Sequence, residues 1–279
     1  MRTWMAFALV AAAVVSVAAL RQSQNDTATT SALQTLVAQK TRARVRPAVW
    51  NDTRKFYELR SGAPAWVRSG QLDRALQILR HAPDHGFTAA DYDEPTLTSR
   101  AAAVKEGGDA AANLDVDLTT AILSLGRDVA VGRTTPEPLD SRWKARRTVP
   151  DLPSTLNDAS GRGLDRWLDA VRPSNPQYAA SQKALADLYA IQKKGGWSRV
   201  PAPALKPGAQ GEAVAALRAR LKASFDLKND AAGAGYDADL QDAVRSFQIH
   251  HELKPTGIAD APTMTFIESA DLPFSWTSR

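Results

Sequence analysis

Between Pro207 and Ala270, three segments of the sequence carry apolar residues at helical spacing. They read PGAQGEAVAALRARL at 207–221, YDADLQDAVRSFQIHHEL at 236–253 and PTGIADAPTMTFIESA at 255–270. In each segment the apolar residues recur three and four positions apart, as on one face of an α-helix. Asp237 and Asp260 stand where a helix N-cap is expected. The stretch therefore predicts three short amphipathic helices that pack on one another.

The order and spacing of these residues resemble the peptidoglycan-binding domain of bacterial cell-wall enzymes. The resemblance is carried by Leu205, Gly208, Gly211, Val214, Leu217, Leu221, Tyr236, Asp237, Leu240, Ala243, Val244, Phe247, Gln248, His251, Leu253, Pro255, Gly257 and Thr263. Two positions depart from the family pattern: Thr256 replaces the Asp before the turn glycine, and Asp260 replaces a second glycine. Because Asp adopts unusual backbone angles more readily than most residues, we expect the fold to tolerate Asp260.

The resemblance implies peptidoglycan as the partner, and it directs attention to the helix ends and the last turn. We expect Phe247 in the core, whereas Tyr236, Asp237 and Gln248 carry polar groups at helix ends that can reach a muropeptide. The predicted peptidoglycan-binding residues are Gly211, Tyr236, Asp237, Gln248, Thr256 and Gly257. We expect neither a cofactor nor a metal ion at this site.

The first residues have the layout of an export signal. Arg2 precedes an unbroken run of apolar or small residues from Trp4 to Leu20,. An uncleaved membrane anchor fits the same run, because roughly 17 apolar residues suffice for a membrane span. We predict a signal peptide or N-terminal anchor over residues 1–21. A flexible tether is predicted over residues 22–48, because its first ten residues are almost entirely polar.

Composition narrows the class of protein. The 279 residues are 44% hydrophobic, enough for about two domains, and they include no cysteine,. The absence of cysteine excludes disulfides, a thiolate nucleophile and sulfur-ligated zinc. The net charge is +5, with basic clusters at Arg42, Arg44 and Arg46 and at 142–147. An exported chain has no nucleic-acid partner to meet, so an anionic wall polymer or lipid surface suits these clusters better.

The body of the chain, residues 49–192, also predicts helices. Apolar faces at helical spacing occur at 72–79, 114–129, 164–171 and 178–189, and no sustained strand alternation is present,. The predicted fold class is all-α: a helical domain over 49–192, a Gly- and Pro-rich linker over 193–206, the three-helix domain over 207–270 and a tail over 271–279.

The helical body resembles the scaffold domain of large L,D-transpeptidases. The resemblance is carried by Phe56–Glu58, Pro64–Trp66, His85–Phe87, Asp91, Tyr92, Asp117–Thr119, Gly132, Arg133, Pro136, Asn175–Tyr178, Gly195–Trp197, Val200 and Pro201. In that family a β-rich domain with a nucleophilic cysteine follows the wall-binding part. Since a thiolate performs that reaction and this sequence has no cysteine, we expect binding and scaffolding here without catalysis. The alternative is the front part of a split or truncated L,D-transpeptidase, with catalysis on another chain.

Other candidate sites have simpler interpretations. His81 and His85 are spaced like helical zinc ligands, but Pro83 and Gly86 predict a helix end. Asp91, Asp93 and Glu94, or Asp115 and Asp117, could in principle serve as glycosidase carboxylates, yet they fit a polar turn and a first helical turn better. Four tryptophans could stack on sugars, but their positions favour packing, above all for the one on an apolar stripe. These are Trp66, Trp143, Trp167 and Trp197.

Overall fold

The computed structural model describes residues 22–67, 70–104, 107–134, 148–228 and 235–268. The chain forms two compact units, residues 1–182 and 183–279. Within the described residues all regular elements are helices, and β-pairing is limited to two isolated bridges. The predicted all-α fold class is confirmed.

The first unit contains eight α-helices in its described part, counting the one that the unit boundary divides. Helix α1 spans 22–37, and the others are α2 (Pro47–Leu59), α3 (Leu72–Arg80), α4 (Glu94–Ala103), α5 (Asp109–Val131), α6 (Leu152–Gly161), α7 (Trp167–Val171) and α8 (Pro176–Lys193). Three short 3-10 helices lie between them, at Ala82–His85, Ala89–Tyr92 and Leu164–Arg166. The division between the two units falls within α8.

Helix α5 is the centre of the first unit. It packs against α2, α3, α4, α6 and α7, and most of its residues are buried. At Gly126 the helix approaches α7 so closely that a Cβ would lie 2.3 Å from the ring of Trp167. Any larger residue there would overpack the core. The predicted core position of Trp167 is confirmed, and Trp66 is fully buried too.

The flexible tether predicted for residues 22–48 is wrong, because residues 22–37 form α1 and Pro47 begins α2. Leu33 on α1 is fully buried in the core of the first unit. The Thr29 hydroxyl accepts a hydrogen bond from the Gly108 backbone N–H at 2.7 Å. The side chain of Trp50 donates to the Gln39 carbonyl at 2.9 Å, which fixes the chain after α1. The polar composition of residues 22–31 predicted a tether, because it does not reveal a helix that is stabilised by tertiary packing.

The second unit has a small core of its own. Its helices are the end of α8, then α9 (Glu212–Ala223), α10 (Ala238–His250) and α11 (Ala261–Glu268). Their inward faces include Val214, Leu240 and Phe247, all fully buried. Val200, within the stretch predicted as a linker, is also buried in this core. Two isolated bridges join the segment before α9 to later parts of the chain. Gln210 pairs with Gly235, just before α10, and Leu205 pairs with Ala259, just before α11.

Candidate functional site

Tyr236 lies at the point where the chain enters α10. Its backbone N–H donates to the Ala209 carbonyl at 2.8 Å, and its carbonyl accepts from the Gly208 N–H at 3.0 Å. The ring is buried, and its hydroxyl donates to the Gly257 carbonyl at 3.1 Å. Burial raises the pKa of Tyr236 to about 12, because the phenolate would lose its hydration,. Tyr236 therefore connects the entry of α10 to the turn before α11.

The side chain of Gln248 fixes the same turn from the other end of α10. Its amide nitrogen donates to the Ile258 carbonyl and to the Thr263 hydroxyl, both at 2.9 Å, and to the Thr256 hydroxyl at 3.2 Å. Its amide oxygen accepts from the Gly257 N–H at 2.9 Å. Gln248 is 1% exposed, so it holds the turn in shape and presents almost no surface of its own.

Gly257 is required at this turn on two counts. Its φ angle is +69°, in the left-handed region that glycine adopts without strain,. A Cβ there would lie 2.6 Å from Cγ of Gln241 and 3.0 Å from Nε of Arg245. Two side chains of α10 thus lie directly over the turn.

Asp260 does not adopt the unusual backbone angle that the sequence predicted for it, and another property explains its place here. Among the described residues it is not one of those with positive φ. Its carboxylate accepts from the Thr263 N–H at 3.1 Å and from the Thr263 hydroxyl at 2.6 Å. These hydrogen bonds hold the pKa of Asp260 below its usual value,. Asp260 therefore caps α11, as the sequence predicted.

The other two predicted site residues lie at helix starts. Asp237 caps α10 through a hydrogen bond from the Leu240 N–H at 3.0 Å, and its second oxygen pairs with the guanidinium of Arg218. The Asp237 side chain is 40% exposed, whereas that of Arg218 is only 8% exposed, so the solvent-facing part of this pair is mainly the carboxylate. Gly211 occupies the N-cap position of α9 with a φ of 103° and is exposed.

The structure brings Tyr236, Gln248, Thr256 and Gly257 together, with Asp237 beside them in sequence. The first, second and fourth are buried and bonded to one another, so they shape the site, and the accessible groups around them belong to other residues. We define the turn surface as Asp237, Gln241, Arg245, Thr256 and Ile258. Sequence reasoning missed Gln241, Arg245 and Ile258.

A signal for two of the missed residues is present in the sequence. Residues 237, 241, 245 and 248 follow one another at steps of four, four and three along α10. This spacing forms a polar stripe on one face of the helix, next to the apolar stripe that packs inward. A search for polar as well as apolar periodicity would have found Gln241 and Arg245.

Comparison with protein families agrees with both resemblances. The family described as a scaffold domain matches residues 51–185, and the family described as a peptidoglycan binding domain matches residues 210–267. The chain contains a scaffold domain followed by a peptidoglycan-binding domain. This order is consistent with the N-terminal part of an L,D-transpeptidase, and no catalytic domain is detected. No curated protein matches the chain.

The scaffold domain places the other candidate groups in structural contacts. His85 Nδ1 lies 2.8 Å from the Tyr178 hydroxyl, and His81 Nδ1 lies 2.7 Å from Asp84. Asp115 is fully buried and accepts hydrogen bonds from the chain after α2. Across the described ranges, no group of three or more histidine or carboxylate side chains could hold a metal ion. Three parts of the sequence considered above lie outside the described residues: residues 1–21, Trp143 and the tail 271–279. Within the described ranges, no helix is long and apolar enough to cross a membrane.

Proposed function

We propose that the chain is an exported, non-catalytic protein of the cell envelope that binds peptidoglycan through residues 207–270. The observation that carries the proposal is the match of residues 210–267 to a peptidoglycan-binding domain. The fixed turn at Thr256 and Gly257 supports it, because it presents a preformed surface beside α10. Export is supported by the apolar run after Arg2,.

The turn surface has the chemistry that a muropeptide requires. Arg245 pairs with the exposed carboxylate of Asp242 at 2.5 Å. It can exchange this partner for, or share it with, a free carboxylate of a stem peptide, since guanidinium and carboxylate groups match in shape and charge. Thr256 and Asp237 offer a hydroxyl and a carboxylate for hydrogen bonds. Ile258, 41% exposed, offers an apolar contact to a peptide methyl group or a sugar face.

The affinity should be modest. The turn surface consists of a few partly exposed side chains, and small wetted contacts of this kind bind weakly because lost ligand freedom offsets most of the gain. We expect a dissociation constant in the micromolar range or weaker for one muropeptide.

Pelleting with purified sacculi tests the proposal. The full chain should sediment with sacculi, and deletion of residues 207–270 should abolish this. Arg245→Ala and Thr256→Ala should reduce the bound fraction several-fold without unfolding the domain, because both side chains lie at the surface. Lys228→Ala, an exposed cation elsewhere in the same unit, is the matched control and should bind normally. Equal sedimentation of the deletion variant would show that the assignment is wrong.

The scaffold domain favours a second candidate function. A scaffold domain precedes the wall-binding domain here, as in L,D-transpeptidases, so the chain could position a catalytic domain carried by another polypeptide. The test is to add the chain to a separate cysteine-bearing L,D-transpeptidase catalytic domain. A higher rate of cross-link formation on sacculi, lost with the scaffold domain deleted, would favour this function. An unchanged rate would favour wall binding alone.

A further inference from the structure

A cavity of about 380 Å³ opens in the first unit, between the segment 42–46, α4 and α5. The volume lies within the range of about 300 to 1,000 Å³ that small-molecule sites occupy. It contains the arginine cluster that the sequence singled out and that wall binding by the second unit does not use. All of its lining residues belong to the first unit, so nothing about it depends on the peptidoglycan-binding domain.

Most of the charged groups at the cavity are already paired. Asp117 on α5 takes Arg42 on one carboxylate oxygen and Arg100, at 2.8 Å, on the other. Arg46 pairs with the buried carboxylate of Asp128 at 2.7 Å. The Asp91 carboxylate pairs with Arg133 at 3.5 Å and accepts from the Thr88 N–H at 2.9 Å. These contacts fix the walls of the cavity and leave little free charge in them.

Two lining residues of opposite charge remain without an ion pair among the described residues: Arg44 and Asp93. Both side chains are on exposed residues. They do not form an ion pair with each other, which would require their charged atoms to lie within about 4 Å. A ligand that carries both charges would neutralise both residues at once.

The backbone at the same two residues is unusual. Arg44 has a φ of 62° and Asp93 a φ of 56°, the left-handed region that residues with a side chain seldom adopt,. Only five described non-glycine residues have a positive φ, and two of them line this one cavity. Such conformations cost energy and concentrate at binding sites, where the surrounding fold holds them. Because both residues line this cavity, one cation and one anion, each unpaired within the described ranges, border a common space.

We propose that this cavity binds a small zwitterion, with Arg44 taking a free carboxylate and Asp93 taking a free ammonium group. The chemical class is a short peptide or amino acid with both groups exposed. The peptide stem of peptidoglycan belongs to this class, a choice of ligand that rests on the wall binding proposed above. The scaffold domain then contributes a ligand site of its own.

The test uses the full chain and the free tetrapeptide stem, released from its glycan, in isothermal titration calorimetry. Arg44→Gly and Asp93→Asn should each weaken binding by about tenfold or more, since each removes one charge-assisted contact. Arg162→Gln, an exposed arginine outside the cavity, should bind like the unchanged chain. Peptides with the amines acetylated or the carboxylates amidated should bind as weakly as the charge variants.

Folding can be separated from binding at Arg44. Glycine adopts a positive φ without strain, so Arg44→Gly should leave the melting temperature unchanged or higher while binding falls. Asn accommodates the left-handed conformation as Asp does, so Asp93→Asn should also stay folded. The proposal is overturned if the unchanged chain gives no saturable heat with the tetrapeptide. It is equally overturned if both variants, or both blocked peptides, bind as tightly as their unmodified counterparts.

Discussion

Both units hold a loop with one buried polar side chain, but they use different chemistry. In the scaffold domain the carboxylate of Asp115 accepts from the backbone N–H groups of Ala65, Trp66 and Val67 at 2.8 to 3.0 Å, and from the Tyr57 hydroxyl at 2.6 Å. In the peptidoglycan-binding domain the amide of Gln248 both donates and accepts.

The backbone that each side chain meets explains the difference. Residues 65–67 present three N–H donors to one point, and only a carboxylate offers enough acceptor sites for all of them. The turn at 257–258 presents one N–H and one carbonyl, so it needs a group that has both a donor and an acceptor. Burial of a polar group is tolerated in either case because every partner is satisfied.

Asp115→Asn should give the largest loss of stability. The amide that replaces one carboxylate oxygen would direct its own N–H groups at backbone donors, leaving buried N–H groups without a partner. We expect a loss of about 3 kcal/mol or more. Urea denaturation followed by circular dichroism measures it, with Asp165→Asn on the surface as the matched control. A loss within about 1 kcal/mol of the control would show that the carboxylate is not needed.

Gln248→Glu tests the buried polar side chain of the second unit, and it changes the side-chain size as little as Asp115→Asn does. The new oxygen would face the Ile258 carbonyl, so a donor contact becomes a repulsion between acceptors. The expected loss is about 2 kcal/mol, confined to the second unit. Faster amide hydrogen exchange at Gly257, with unchanged exchange in α5, measures it, and Gln192→Glu at an exposed position is the control. An equal loss of protection from hydrogen exchange in both units would contradict the prediction that Gln248 stabilises the second unit alone.

Tyr236→Phe should have the smallest effect and a distinctive dependence on pH. It removes one hydrogen bond to Gly257, which we expect to cost about 1 kcal/mol at neutral pH. Burial raises the folded-state pKa of Tyr236 to about 12, above the unfolded value of about 10. The stability due to the bound proton is therefore complete below about pH 10 and is lost as the pH rises towards 12.

The measurement for this variant is the difference in unfolding free energy between the unchanged chain and Tyr236→Phe. The difference should be constant below about pH 10 and should fall as the pH rises from about 10 towards 12, because phenylalanine has no proton to lose. Tyr57 and Tyr92 in the scaffold domain also have raised pKa values through burial, but they are present in both chains and cancel. A constant difference across this range would contradict the buried phenol.

The spacing of apolar residues predicted most of the helices, but it did not predict which parts of the chain pack against them. The apolar faces at 114–129 and 164–171 became α5 and α7, because a regular stripe needs only local geometry to be recognised,. Helix α1 was missed because its polar first turns resemble a tether, and its buried residues, Thr29 and Leu33, gain their partners only when distant parts of the chain assemble. The face predicted at 178–189 belongs to a real helix, α8, in which none of the residues is buried.

The all-α fold class and the two family resemblances could be predicted from the sequence, since spaced apolar residues, capping aspartates and turn glycines act over a few neighbouring residues. Which of the predicted site residues are accessible depends on tertiary packing. Tyr236 and Gln248 are turned inward to hydrogen-bond partners about ten to twenty positions away, and Arg245 lies over Gly257 in their place. The difference arises because a buried backbone N–H or carbonyl must find a partner wherever the fold supplies one, and that partner need not be a neighbour in sequence.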